Sequence, residues 1–140
     1  MRRRPAALAL AVWTLLVWAT RITNIWDDAA LDTGEKLGRT GLAVSFTVLG
    51  AAVLVALWRR TDRWVRPAVG ALAAWTTVVW VVRDVRIVGS DHDLGFTLVH
   101  VVLGVVSVAL AVLAWREASR ARRVARDGRG ERRAVPARTR

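Results

Sequence analysis

Apolar residues run almost unbroken from Pro5 to Thr20, Gly41 to Trp58, Pro67 to Val82 and Leu94 to Trp115, and the charged residues fill the stretches between. A soluble amphipathic helix interleaves the two kinds at a period of 3.6 residues, whereas blocks of this kind mark membrane spans. A helix rises about 1.5 Å per residue, so roughly 20 residues cross about 30 Å of hydrocarbon. The second and fourth blocks reach or approach that length. The first falls short unless its helix runs on through Arg21 to Trp26, and the third unless it includes Arg83, Asp84 and Arg86 and ends at Val88. The pattern predicts an all-α, integral membrane four-helix bundle over residues 1–116, with helices near 5–26, 41–58, 67–88 and 94–115, and a tail over 117–140.

The segments 59–66 and 89–93 are short, which predicts antiparallel up-down neighbours. Gly38-Arg39-Thr40-Gly41 reads as a loop leading into helix two. Small residues recur four apart at Gly41 and Ser45, Ala52 and Ala56, and Gly70 and Ala74, a spacing that lets helices approach closely. Helix four carries the clearest stripe: Asp93, Thr97, His100, Gly104, Ser107 and Ala111 alternate in steps of 4 and 3 and share one narrow face. The opposite face is Val and Leu. The stripe is therefore expected to point into the bundle, with Asp91 or Asp93 suited to the helix start.

Charge decides the threading. Lys and Arg total 17 in the N-terminus, the 59–66 connection and the tail, against 5 in the two alternate segments. By the positive-inside rule both termini are cytoplasmic. Seven of the eleven acidic residues fall on the outer segments. Met1-Arg2-Arg3-Arg4 before an apolar run also resembles a secretory leader, with Val17-Trp18-Ala19 as a cleavage site, but the bulky Trp and the RITNIW continuation argue against it. Trp26 and Trp80 are expected near the outer interface, Trp58, Trp64 and Trp115 near the inner one, and Trp13, Trp18 and Trp75 deeper, filling packing space or facing lipid. The tail can extend helix four to Asp127, with Gly128 and Gly130 ending it and disorder beyond. Its ten arginines, among them Arg120, Arg122, Arg123 and Arg126, suit anionic inner-leaflet lipid at about 1 kcal/mol per charge. No aromatic lies beyond Trp115 to stack on bases, so nucleic acid is not expected.

Chemistry is sparse. The chain has no cysteine, which removes disulfides, thiolate ligands and a cysteine nucleophile. No phosphate loop or nucleophile elbow is present, and no enzymatic activity is expected. Asp91, His92 and Asp93, with Asp27, Asp28, Asp32 and Glu35 on the same side, offer metal ligands but match no zinc spacing; solvated acidic loops are expected instead. His92 and His100, eight apart, do not share a helix face, so a bis-histidine haem does not fit and no cofactor is expected. What remains is a candidate polar layer in the outer third of the bundle: Arg21, Asn24, Arg83, Asp84, Thr97 and His100. Charge in hydrocarbon is costly, so Asp84 is expected to pair with Arg21 or His100.

The Ala, Val, Arg and Trp bias with almost no Lys, together with VWVVRDVRI and HDLGFTLVHVVLGVVSVAL, resembles small uncharacterised four-helix membrane proteins of high-GC, actinobacterial-type bacteria. The resemblance implies architecture and no activity. The expected role is an accessory or scaffolding component of the cell (inner) membrane, with a membrane protein or a second copy as partner. Two alternatives are a proton-linked carrier or channel using Asp84 and His100, and a redox subunit binding haem or quinone.

Overall fold

The computed structural model describes residues 4–59, 62–89 and 93–134, without the side chains of Asp62 and of 121–134. They form four helices: α1 (Pro5–Asp27), α2 (Thr33–Trp58), α3 (Asp62–Val88) and α4 (Leu94–Ala134). Each contains a stretch long and apolar enough to cross a membrane, and no more than 33% of any of these stretches is buried. The apolar side chains therefore point outward more than inward. Leu8, Leu16, Val48, Val78, Val85, Leu98 and Val105 are all exposed.

The helices close into a ring in which α1 packs on α2 and α4, and α3 packs on α2 and α4. Close approach is made by small residues. A Cβ on Gly50 of α2 would meet Leu15 of α1 at 3.2 Å, and one on Gly70 of α3 would meet the Trp115 ring of α4 at 2.8 Å. The centre is aromatic. Trp18 stacks on Phe46 with centroids 4.2 Å apart and planes 3° from parallel, and Trp80 meets Trp18 edge-on at 6.2 Å. Trp18 and Trp80 thus bring α1 and α3 together across the middle of the ring. Trp80, placed at the outer interface by its position in the sequence, is instead 3% exposed and part of this core. Trp26, Trp58, Trp64 and Trp115 do remain exposed.

The remaining deep tryptophans tie neighbouring helices. Trp13 Nε1 donates to Ser107 Oγ (2.9 Å), which donates to Leu103 O (2.7 Å). Trp75 Nε1 donates to Ser45 Oγ (3.0 Å), which donates to Leu42 O (2.7 Å). An indole N–H needs an acceptor in an apolar setting, and a serine hydroxyl can accept from it while donating to its own helix.

Helix ends explain where the sequence reading of the boundaries fails. α2 starts eight residues earlier than the apolar block, because Asp32 and Glu35 form a capping box: Glu35 N donates to Asp32 Oδ1 (2.9 Å) and Asp32 N to Glu35 Oε2 (3.4 Å). Gly38-Arg39-Thr40-Gly41 is therefore helical, not a loop. α3 likewise begins at Asp62 and carries Pro67 inside it, so most of the supposed 59–66 connection is helix. α4 runs past Gly128 and Gly130 to Ala134, since the surrounding Ala, Arg and Glu are strong helix formers and each glycine costs only about 1 kcal/mol. α1 has no side-chain cap of its own. Its neighbours supply them: Glu117 Oε2 of α4 accepts from Ala7 N (3.1 Å), and Lys36 Nζ of α2 donates to Trp26 O (3.2 Å).

Candidate functional site

The stripe on α4 does face the bundle. His100, Gly104, Ser107, Ala111, Ala114 and Ala118 are buried, Thr97 is half-buried, and Val99, Val102 and Val105 on the other side are exposed. Asp93 caps the helix by accepting from Phe96 N at 3.0 Å.

Asp84 of α3 sits directly against Gly104. A Cβ there would collide with the carboxylate, lying 2.7 Å from Cγ and 2.9 Å from Oδ1. The glycine is what makes room for the acid. Asp84 Oδ1 is buried without a hydrogen-bond partner, and so is Nε of the neighbouring Arg83. Asp84 lies within electrostatic reach of Arg83 and His100, but Arg21 is not among the charges acting on it. Of the two partners expected for Asp84, His100 is within its electrostatic reach, and no ion pair joins it to Arg21 among the described residues. Arg21 and Arg39 are both within electrostatic reach of Arg83. The expected depth also shifts, because Asp84 packs at Gly104, one turn further along α4 than His100.

His100 is 8% exposed. Its Nδ1 lies 2.8 Å from Phe96 O. A carbonyl only accepts, so Nδ1 is the donor in this contact. The ring also packs on Phe96, with centroids 4.0 Å apart.

Of the six residues expected in the polar layer, Arg21, Arg83, Asp84 and His100 gather at the end of the bundle that holds the α1–α2 connection. Thr97 is half-buried one turn above His100, and Asn24 is exposed. Two further residues take part that the polar-layer pattern does not single out: Gly104, which the sequence marks only as part of the stripe, and Arg39, which its flanking glycines suggest is in a loop. The Asp32-x-x-Glu35 signature would have placed Arg39 on a helix, seven residues before Phe46 and so on the same face. The acidic residues once weighed as metal ligands serve the backbone: Asp32, Glu35 and Asp93 as caps, and Asp28 by accepting from Ala30 N at 3.0 Å. Among the described residues no three His, Asp or Glu side chains gather to hold a metal. Asp91 and His92, and the side chains of Arg122, Arg123 and Arg126, lie outside the described residues. Arg120 is exposed.

No protein-family model, curated protein or solved structure matches the chain.

Proposed function

We propose that this chain is a four-pass protein of the bacterial inner membrane, its helices antiparallel, both ends cytoplasmic, serving as an accessory or scaffolding component. The observation that carries this reading is the outward display of aliphatic side chains on all four helices, around a core of small and aromatic residues. Such a surface suits lipid and lateral contact with other membrane helices. Between α2 and α3, an open apolar groove over Ala52, Val55, Ala56 and Pro67 adds a concave face for such contact. The contacts agree with antiparallel neighbours: Gly50 with Leu15 and Phe46 with Trp18, then Gly70 with Trp115 and Asp84 with Gly104. The basic tail continues α4 and lies ready for anionic lipid on the cytoplasmic face.

In-membrane crosslinking followed by purification of the tagged full chain tests the role. The reading expects a stoichiometric membrane-protein adduct, with another protein or with a second copy. Recovery of the uncrosslinked monomer alone, at crosslinker levels that capture known membrane complexes, would overturn it.

A second reading has its own support. The buried, unpartnered Asp84 oxygen, seated at Gly104 and within electrostatic reach of His100 one turn away, offers ionisable groups from two helices, as a proton-linked carrier requires. Proton flux into liposomes that falls in both Asp84→Asn and His100→Ala would favour this reading. Flux no greater than in protein-free vesicles would remove it.

A further inference from the structure

Three arginines, one each on α1, α2 and α3, stand at the same end of the bundle beyond the aromatic centre. Trp18 and Trp80 meet at 6.2 Å. Arg21 and Arg83 each stand three residues beyond them, about 4.5 Å higher on the same sides of α1 and α3. Arg39 stands two turns above Phe46, which stacks on Trp18. All three guanidinium groups act on one another electrostatically.

Like charges gather at a cost unless something offsets them. The carboxylates on hand do so only in part. Glu35 reaches Arg39 at 3.7 Å, with both side chains about half exposed. Asp84 acts on Arg83, yet its carboxylate is turned onto Gly104. Among the described residues Arg21 makes no ion pair, and Arg83 Nε is a buried donor without an acceptor. His100 packs on Phe96 and adds no negative charge. What the cluster lacks is an anion with several oxygens, and the planar guanidinium fork matches a phosphate in two-point contact.

We propose that Arg21, Arg39 and Arg83 form a binding site for a phosphate group, supplied either by a phospholipid headgroup or by a free phosphate. Arg83 Nε and Arg21 hold it from the two sides of the aromatic centre, and Arg39 closes over it from α2. The lipid source rests on the membrane reading given above; the site itself rests only on the bundle.

Two measurements on the purified full chain separate the sources. In the first, thermal unfolding is followed with inorganic phosphate against chloride at matched ionic strength. In the second, native mass spectrometry compares retention of phosphatidylglycerol with that of phosphatidylcholine. Stabilisation by phosphate beyond chloride assigns the site to a free phosphate, and preferential retention of phosphatidylglycerol assigns it to a headgroup. In either case Arg83→Gln and the half-exposed Arg39→Gln should each weaken binding by about tenfold or more, the worth of a charge-assisted hydrogen bond. Arg83→Lys, which keeps the charge but loses the fork, should fall between. The proposal is overturned if phosphate acts only as chloride does and neither lipid is preferred. It is overturned equally if Arg39→Gln, folded as the parent, binds as the parent does. A chain that proves soluble without detergent would end the membrane reading, and the phosphate measurement could still be made in plain buffer.

Discussion

At the scale of single residues, Gly104 is the most tightly enclosed of the described glycines. Its missing side chain is the seat of the Asp84 carboxylate. Gly104→Ala should destabilise the detergent-solubilised protein by about 1–3 kcal/mol, the usual cost of overpacking. In an Asp84→Ala background most of that cost should vanish, because the atoms in the way are gone. A double-mutant cycle on thermal unfolding reads the difference directly, and additive effects would show that the two residues are not coupled. The Trp13–Ser107 tie is a second local test. Trp13→Phe and Ser107→Ala should each cost about 1 kcal/mol, and the double variant scarcely more than either, since both remove one interhelical hydrogen bond. A double variant costing the full sum would contradict the bond. The stripe that carries Gly104, Ser107 and His100 was legible in the sequence because helical periodicity sorts small and polar residues from Val and Leu on a single helix. The seat of the carboxylate at Gly104 was not, because the relative height of two helices is set by their packing, and one turn moves a contact by about 5 Å.

At the scale of elements, the helices begin and end where caps permit and not where apolar runs stop. The segment TGEKLGRTG reads as a loop by its glycines and polar residues, yet the Asp32–Glu35 box holds it as the first two turns of α2. Asp32→Ala should cost about 1 kcal/mol and speed hydrogen exchange at the first amides of α2, leaving the Phe46–Val53 region protected. Unchanged exchange at Glu35 and Lys36 would show that the cap contributes nothing. The caps of α1 come from α2 and α4, which no reading of residues 5–27 by themselves could supply. The same lesson holds for the tryptophans. Trp80 lies near the end of an apolar block, which suggests an interfacial ring, but it turns inward to meet Trp18 across the middle of the bundle and is buried. A helix end in sequence is a boundary in height only, and which face turns inward is settled by the neighbours.

At the scale of the whole molecule, four apolar helices display aliphatic surface outward and gather charge at their ends. The division of basic residues, 17 against 5 between alternate segments, is the basis for the proposed direction. In that proposed orientation the arginine-rich extension of α4 would meet cytoplasmic lipid, and the Arg21–Arg39–Arg83 cluster would open to the other side. Because the chain contains no cysteine, single cysteines can report on it without background. Ala30→Cys, in the α1–α2 connection, and Ala134→Cys, at the end of α4, would be treated in intact cells with a membrane-impermeant maleimide once the outer barrier is opened. The account predicts labelling at position 30 and protection at position 134 until the inner membrane is permeabilised. Labelling at 134 with protection at 30, or protection of neither, would contradict it.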